Sequence, residues 1–376
     1  MIKVLNVMED GRIAGPQLRM LRVAKALNGK IDTIIAIPQE PPFEFRDRLT
    51  DAGVPFVQLP LTKLSRQPSE VAKSIIRLPS EILAMKRYIK ANNIDVVHSS
   101  GGAWMFKAII AARFAATPSV WHLNDTSSPS VFRFIARVLL KRWVAGVIVA
   151  GSRVKSHYLA DYEENYKNST QLTSIDAPVE TDTFVPSNTK EEGGALKVIT
   201  VGNISPVKDY LTVARCAALT EKKISIHWTV VGSSYESQQK YRERLDELVQ
   251  ELGVGCLHFA GAQSNVNEHL AAADVYVCSS AAEASPTSVW EAMSCGLPVV
   301  STDVGCVSDH IQHGENGFVV PPGDFQSMSK YLVLLGESVE VRRNMGDQNR
   351  NIAVSNFDIS VCASRHAEIY QAVCQP

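Results

Sequence analysis

Two glutamates, Glu283 and Glu291, flank the predicted start of a helix and are separated by seven residues. Ser285 is typical of a helix N-cap, Pro286 suits the first helical position, and Gly296 is typical of the residue that follows a helix end. The free N–H groups and positive dipole end of the first turn predict an anion site. Carboxylates repel phosphate but accept hydrogen bonds from hydroxyls. The combination suits a diphosphate with a sugar at each end, as in a nucleotide sugar.

The helix start supplies three candidate phosphate ligands, Ser285, Thr287 and Ser288. Two glutamates at this spacing are also common on an ordinary surface helix with solvated acids, which is the alternative interpretation. The flanking sequences, AADVYVCSS before the site and EAMSCGLPVVSTDVG after it, favour the functional interpretation. With these flanking sequences, the chain closely resembles the retaining family-4 glycosyltransferases of the GT-B fold, over most of residues 195–335.

The resemblance implies a retaining glycosyltransferase, which moves a sugar from a nucleotide-sugar donor to an acceptor hydroxyl. The acceptor would be a saccharide or a lipid-linked glycan in polysaccharide biosynthesis. Glu283 would bind hydroxyls of the transferred sugar, and Glu291 would bind the ribose hydroxyls. In this family the leaving phosphate is thought to help deprotonate the acceptor, so no dedicated base is implied.

A second motif, GNISPVKD at residues 202–209, resembles the family's GRLSPEKG loop, which ends a strand and faces the donor diphosphate. Lys208 matches the family lysine and would neutralise charge on the departing nucleoside diphosphate. Asn203 stands where the family usually has Arg, so the phosphate clamp is one cation short. The sequence EASP from Glu283 also replaces the commoner EGFG, which changes side chains beside the donor sugar and leaves the carboxylates in place.

In the first half of the chain, His122 ends a predicted strand and aligns with the family's active-site histidine, which contacts the donor sugar. Gly15 opens a predicted helix, where the resemblance implies close approach of substrate to backbone. A structural role is the alternative for both residues. The loop of residues 9–16 lacks the Gly-x-Gly-x-x-Gly spacing of a dinucleotide site, which disfavours a dehydrogenase.

The sequence has neither a His, Asp and Cys cluster with metal-ligand spacing nor the Asp-x-Asp motif of metal-dependent transferases. We therefore predict that the protein uses neither a metal nor another cofactor. Lys208 and helix N-terminal amides would meet the charge of the leaving diphosphate. We predict no nucleic-acid partner.

A chain of 376 residues is long for one core and predicts two domains. Strands alternate with helices throughout, which predicts two Rossmann-like, doubly wound parallel sheets of the α/β class. The GT-B resemblance adds a cleft between them and a last helix that crosses back to the first domain. The polar, turn-rich segment 176–194 predicts the boundary. The predicted domains are an acceptor-binding domain, 1–180 with helix 360–376, and a nucleotide-sugar-binding domain, 181–359.

Strands are predicted in both halves of the chain. Their ranges are 2–8, 32–37, 55–59, 94–99, 119–123 and 146–150 in the first half, and 196–202, 225–232, 256–261 and 299–301 in the second.

The net charge of −1 hides an asymmetry between the halves. Residues 1–180 carry 24 Lys and Arg against 16 Asp and Glu, whereas the rest carries 14 against 23. Two predicted helices, 69–92 and 130–145, are apolar on one side and basic on the other. Their basic residues are Lys73, Arg77, Lys86, Arg87 and Lys90 in the first and Arg133, Arg137, Lys141 and Arg142 in the second. Such helices can dock on an anionic membrane surface, and ordinary helices covering a sheet are the alternative.

The start of the chain lacks a secretory apolar core, and no apolar run approaches ~18 residues. We predict a cytoplasmic protein, at the inner face of the membrane if the basic helices bind there. Two other functions stay open. A nucleotide-sugar epimerase shares the GT-B shape but needs acid and base groups that are not visible, and Asn203 is compatible with a non-catalytic nucleotide-sugar-binding protein.

Overall fold

The computed structural model describes residues 1–63, 68–160, 171–187 and 193–375, without the side chains of residues 68–73. The chain forms two compact units, which we call the N-terminal unit (1–178 with 359–376) and the C-terminal unit (179–358). Residues 188–192 of the predicted boundary segment lie outside the described residues.

The N-terminal unit alternates strands with helices. Its strands are β1 (Ile2–Val7), β2 (Ile31–Pro38), β3 (Phe56–Leu59), β4 (Val96–Ser100), β5 (Ser119–Leu123), β6 (Gly146–Val149) and β7 (Gln171–Ser174). Its helices before residue 178 are α1 (Gly15–Ala26), α2 (Glu44–Asp51), α3 (Pro68–Ala91), α4 (Phe106–Ala115), α5 (Ser130–Trp143) and α6 (Ser152–Leu159). The strands form one parallel sheet in the order β3-β2-β1-β4-β5-β6-β7.

The C-terminal unit repeats this architecture. Its strands are β8 (Leu196–Val201), β9 (Ile226–Val231), β10 (Leu257–Gly261), β11 (Val275–Cys278), β12 (Val299–Thr302) and β13 (Gly317–Val320). Its helices are α7 (Tyr210–Thr220), α8 (Gln239–Leu252), α9 (Val266–Ala271), α10 (Thr287–Ser294), α11 (Val307–His310), α12 (Phe325–Glu337) and α13 (Val339–Asn356). The parallel sheet has the order β10-β9-β8-β11-β12-β13.

The chain ends in α14 (Ile359–Cys374), which belongs to the N-terminal unit and contacts α1. The prediction of two doubly wound parallel sheets is confirmed. Most predicted strands differ from the observed ones only by a residue or two at their ends. The sequence interpretation missed β7 and β13, which are four residues long and bounded by polar or turn-forming residues.

Both faces of the first sheet are buried, as parallel sheets require when helices cover both sides. Val4 and Leu5 are neighbours on β1 whose side chains point to opposite faces, and neither is exposed to solvent. Val4 packs in the core beneath α1 and α14, whereas Leu5 packs in the core beneath α3 and α4.

The two predicted basic helices form, as α3 and α5. Helix α5 buries Ala136 and Leu139 but leaves Val131, Phe134 and Val138 exposed on another face. The side chain of Lys73 lies outside the described residues. Within the described chain, no helix is both long enough and apolar enough to cross a membrane.

Candidate functional site

The loop between β11 and α10 differs in one detail from its prediction. The N-cap is Pro286, whose backbone is extended, and the helix begins at Thr287. Ser285 is therefore not the N-cap, and Pro286 is not the first helical residue. The Ser285 hydroxyl accepts a 2.9 Å hydrogen bond from the indole N–H of Trp290 instead. The predicted helix end is confirmed, because Gly296 follows the last turn with a φ of +68°.

Lys208 and Glu283, which were predicted to bind different parts of a ligand, bind each other. The Lys208 ammonium donates to Glu283 Oε1 over 2.5 Å, and the Ser280 hydroxyl donates to the same oxygen over 2.8 Å. Burial alone would lower the pKa of Lys208, but the charge and hydrogen bond of Glu283, together with Cys278, outweigh burial and raise that pKa. The lysine is therefore charged at neutral pH.

The pair is held by contacts between two loops. The Ser279 hydroxyl donates to the carbonyl of Lys208 over 2.7 Å, and the amide of Ala281 donates to the carbonyl of Val207 over 2.8 Å. The Thr302 hydroxyl at the end of β12 donates to the carbonyl of Ser280 over 2.7 Å. These bonds join the carboxyl ends of strands β8, β11 and β12, the edge where open parallel sheets bind ligands.

Ser288 also has a partner within the protein. The buried Tyr276 hydroxyl donates to Ser288 Oγ over 2.7 Å. A small cavity lies here, lined by Tyr276, Ser288, Lys208, Ser280 and other residues of this edge. Sequence interpretation missed Tyr276, which lies within the buried strand β11, and Ser280, which lies two residues after that strand ends.

Asn203 contacts an aromatic residue that was not predicted. Its side-chain amide donates to the hydroxyl of Tyr235 over 3.1 Å, and the Tyr235 side chain is exposed. The two loops approach closely because Gly232, at a φ of +146°, leaves no side chain between them. A Cβ at this position would lie 2.0 Å from the Gly202 carbonyl oxygen. Asn203 therefore positions Tyr235 at the same edge of the sheet as Lys208.

Glu291 and Thr287 lie on α10, one near its middle and one at its start, and both are half-buried. The structure thus brings the predicted donor-site residues of the C-terminal unit to one region, between the ends of β8 and β11 and the first turns of α10.

His122 lies in the N-terminal unit one residue before the end of β5, and it is fully buried. Its ring centroid is 5.6 Å from that of His98 and 5.7 Å from that of His366 on α14. Burial, followed by the positive charge of Arg19, lowers the pKa of His122 well below its ordinary value. Within the described chain, neither ring nitrogen has a hydrogen-bond partner. The imidazole is therefore neutral, with one ring N–H that can donate a hydrogen bond and one ring nitrogen that can accept one.

Gly15 is the first residue of α1 and is exposed. No atom lies within 4 Å of the position that a Cβ would occupy there. The fold itself therefore does not require glycine at this position.

A buried charged cluster lies just beyond β1. The Lys107 ammonium is 2.8 Å from Glu81 and 3.4 Å from Glu9, and all three side chains are almost completely buried. Burial raises the pKa of Glu9 to about 7, and the Lys107 charge only partly opposes burial, while the Glu81 charge adds a smaller increase. This cluster escaped sequence interpretation because its members are 26 to 98 residues apart in the chain.

Comparison with known proteins supports the same organisation. Residues 182–352 match the family model for glycosyl transferases group 1, and residues 14–162 match that for the glycosyl transferase 4-like domain. The N,N'-diacetylbacillosaminyl-diphospho-undecaprenol alpha-1,3-N-acetylgalactosaminyltransferase of Campylobacter jejuni is 22% identical over 93% of this chain and 94% of that protein. The N-acetyl-alpha-D-glucosaminyl L-malate synthase of Bacillus anthracis is 34% identical, but over only 31% of this chain and 30% of that protein.

The fold is also similar to that of a solved protein. The crystal structure of Anabaena HepE in complex with UDP has a TM-score of 0.83 at 20% identity and covers 98% of this chain and 99% of that one. The same Anabaena protein has also been solved with UDP-glucose. At this level of identity, the similarity establishes the arrangement of strands and helices within the chain.

Proposed function

The chain belongs to the family-4 glycosyltransferases of the GT-B fold, and from this premise we propose that it is a retaining enzyme with a nucleotide-sugar donor. The C-terminal unit would bind the donor, and the N-terminal unit would bind an acceptor hydroxyl of a saccharide or lipid-linked glycan. The observation that carries this proposal is the Lys208 and Glu283 ion pair, at the carboxyl edge of the second sheet.

The ion pair supplies both groups that a nucleotide sugar needs. The Lys208 ammonium is a fixed cation for the diphosphate, and its charge would stabilise the leaving group as the sugar departs. Glu283 can accept hydrogen bonds from two neighbouring hydroxyls of the transferred sugar. Donor binding would therefore exchange one internal ion pair for contacts with phosphate and sugar.

The other predicted residues would complete the donor contacts. Glu291 would bind the ribose hydroxyls, and the first-turn amides of α10 near Thr287 and Ser288 would face phosphate. Asn203 would add a neutral hydrogen-bond donor where a cation is usual. His122 would contact the transferred sugar as a neutral imidazole.

A ligand panel tests the donor assignment. UDP, GDP, ADP and their sugars are compared in a thermal-shift assay, because a ligand at 100 times its dissociation constant stabilises by about 2.7 kcal/mol. The UDP complexes of Anabaena HepE favour UDP. Stabilisation of wild type that is lost in Lys208→Ala supports the assignment, whereas equal stabilisation of both contradicts it.

Product analysis separates the alternative functions. Release of free nucleoside diphosphate together with a glycosylated acceptor supports transfer, while an epimerised nucleotide sugar supports an epimerase. Donor binding without turnover across an acceptor panel supports a binding protein. We expect transfer activity to survive EDTA. Complete loss with EDTA and recovery with Mg²⁺ or Mn²⁺ would contradict the proposed metal independence.

We further propose that the N-terminal unit reaches its acceptor at an anionic membrane surface. Helix α5 exposes Val131, Phe134 and Val138, with exposed fractions of 66%, 69% and 43%. The exposed basic residues Lys141 and Arg142 follow on the same helix. This pattern of exposed apolar and basic side chains is typical of helices that lie in a membrane interface. The Campylobacter relative, whose name includes diphospho-undecaprenol, is compatible with a lipid-linked acceptor.

Co-sedimentation with liposomes tests the proposed binding to an anionic membrane. Wild type is expected to bind anionic vesicles at 0.1 M salt and to be released near 1 M salt, as the Debye length falls from about 10 Å to about 3 Å. The Phe134→Ser, Lys141→Gln, Arg142→Gln variant should bind weakly. Arg137 is left intact because it donates to the carbonyl of Tyr158. No binding of wild type at low salt would favour a soluble acceptor.

A further inference from the structure

Among the described residues of the N-terminal unit, Arg19 is a buried cation that has no counter-charge. Arg19 on α1 is 5% exposed, and its Nη2 donates to Ser100 Oγ at the end of β4 over 3.0 Å. Within the described chain its Nε–H has no acceptor, and no carboxylate forms an ion pair with it. Burial lowers the pKa of Arg19 to about 10, so the guanidinium is charged at neutral pH. A buried charge is costly unless it is paired.

Three histidines surround this cation without supplying a negative charge. The ring centroids of His98, His122 and His366 are 5.6 to 5.9 Å apart. Burial lowers the pKa of each, and the Arg19 charge lowers it further. Their ring nitrogens are too far apart to share one metal ion. The cluster therefore carries one positive charge and no negative one.

The same region has hydrogen-bond donors with no acceptor. Tyr370 can donate to His98 Nδ1, 2.6 Å away, and the proton of His98 then lies on Nε2. That Nε2, the Arg19 Nε–H and the Asn6 Nδ2 amide are all buried donors without a partner within the described chain, and the Asn6 Oδ1 acceptor also lacks one. Buried polar groups are normally satisfied, so three such donors around a cation point to a missing acceptor.

The strand order places these donors where a ligand is expected. Asn6 lies opposite His98 in the pairing of β1 with β4, so their side chains share one face of the sheet. The chain leaves β1 towards β2 on one side and leaves β4 towards β5 on the other. The boundary between β1 and β4 is therefore the topological switch point of the first sheet, which is the usual ligand position in open parallel sheets.

We infer that Arg19, His98 and Asn6 form a buried oxyanion-binding site in the N-terminal unit, which takes a phosphate, sulfate or carboxylate group. The oxyanion supplies the counter-charge of Arg19 and accepts the three free N–H bonds. The site itself is independent of the proposed function. Its role, which is to hold an acidic group of the acceptor, rests on that proposed function.

Sulfate is the first probe, because it keeps its charge between pH 5.5 and 8. A bound dianion raises the pKa of neighbouring histidines, so protons are taken up and binding strengthens as pH falls. The titratable and charged groups of the cluster that would respond to the anion are Arg19, His98, His122, His366, Tyr370 and Cys362. We expect millimolar sulfate to raise the Tm by several degrees, and by more at pH 6 than at pH 8.

Arg19→Met is the test variant, and Arg48→Met, which changes an exposed arginine on α2, is the matched control. Arg19→Met should lose the sulfate response. Its own Tm should not fall, because an apolar side chain replaces an unpaired buried charge. The control should respond like wild type, which separates binding from the general stabilising effect of sulfate. Equal responses in Arg19→Met and wild type would overturn the proposal and leave buried water as the partner of these donors.

Calorimetry of the wild type keeps the proposal testable if Arg19→Met does not fold. Sulfate titrations in two buffers of different ionisation enthalpy should show proton uptake at pH 6, whereas absence of binding or of uptake overturns the site. Once transfer is measured, sulfate should raise the KM of an acidic acceptor and leave that of a neutral one unchanged. Sulfate binding with equal KM changes for both acceptors contradicts the acceptor role, and sulfate binding without any transfer counts against the proposed function alone.

Discussion

The carboxyl edges of the two sheets differ in how their charged and polar side chains are paired. In the C-terminal unit, Lys208 is paired with Glu283 and Tyr276 is bonded to Ser288 before any ligand arrives. In the N-terminal unit, Arg19 and the histidines beside it are more deeply buried, but several of their polar atoms have no partner within the described chain. At the edge of the C-terminal sheet, a ligand must replace an existing ion pair and hydrogen bond. At the edge of the N-terminal sheet, a ligand can supply the missing partner of an unpaired charge.

Substitutions at the edge of the C-terminal sheet should have the largest effect on activity. Lys208→Ala and Glu291→Ala are each expected to lower kcat/KM by roughly 10- to 150-fold, because a hydrogen bond to a charged group contributes about 1.5 to 3 kcal/mol. Initial rates at several donor concentrations measure the loss, and circular dichroism checks the fold.

Lys222→Ala is the control for these variants, since Lys222 is exposed and follows α7 at the opposite edge of the sheet. Near-normal turnover in both test variants would remove the donor-site assignment. A Lys208→Ala, Glu283→Ala double variant should lose less than the sum of the single losses, because each single change leaves the other charge without its partner.

The buried histidines at the edge of the N-terminal sheet should make the N-terminal unit less stable at acidic pH. His366 has its pKa lowered to about 4, mainly by burial, and the pKa values of His98 and His122 are also lowered. The unfolded chain therefore binds protons below about pH 6.5, where the folded chain does not. Stability should fall from pH 6.5 towards pH 4, by up to about 1.4 kcal/mol per pH unit for each histidine.

Urea unfolding at pH 7 and pH 5 measures this loss of stability. His366→Leu should lose less stability between the two values than wild type does. An equal loss in both proteins would show that the buried histidines do not set the acid sensitivity.

The two edges also differ in how far the sequence predicted them. The motifs around Lys208 and Glu283 are local, so their type and position could be predicted from short segments. Their mutual ion pair was missed, because the residues are 75 positions apart and contact depends on how β8 and β11 pair. The Arg19 cluster combines residues from α1, β1, β4, β5 and α14, and no short segment carries a signal for it. The N-cap at Pro286 was missed because the Trp290 indole, five residues further along, donates to the Ser285 hydroxyl that would otherwise cap the helix.

Glu9 should give the stability of the N-terminal unit a pH dependence opposite in sign to that of the histidines. Its pKa is raised to about 7, so the folded chain keeps a proton that the unfolded chain releases near pH 4.5. This contribution is fully present below pH 4.5 and is lost as pH rises through 7. Glu9→Gln, which stays uncharged, should therefore gain stability relative to wild type between pH 5 and pH 8.

Urea unfolding across this range measures the gain, which should not exceed about 1.4 kcal/mol per pH unit. Asp51→Asn, at an exposed position on α2, should show no such trend. A difference between Glu9→Gln and wild type that does not change with pH would mean that Glu9 is ionised in the folded protein.

Substitution of Gly15 should give the smallest change in stability. It therefore distinguishes an effect on folding from an effect on substrate contact. It is exposed, it begins α1 and a Cβ there would meet no atom within 4 Å. Gly15→Ala should therefore shift the free energy of unfolding by less than about 0.5 kcal/mol. If a substrate approaches this backbone closely, the added methyl group should still lower kcat/KM several-fold. Ala14→Gly, one residue earlier, is the matched control for the helix start. Unchanged kinetics in Gly15→Ala would assign Gly15 an ordinary structural role, and loss of both stability and activity would show that the methyl group disturbs the N-terminal unit itself.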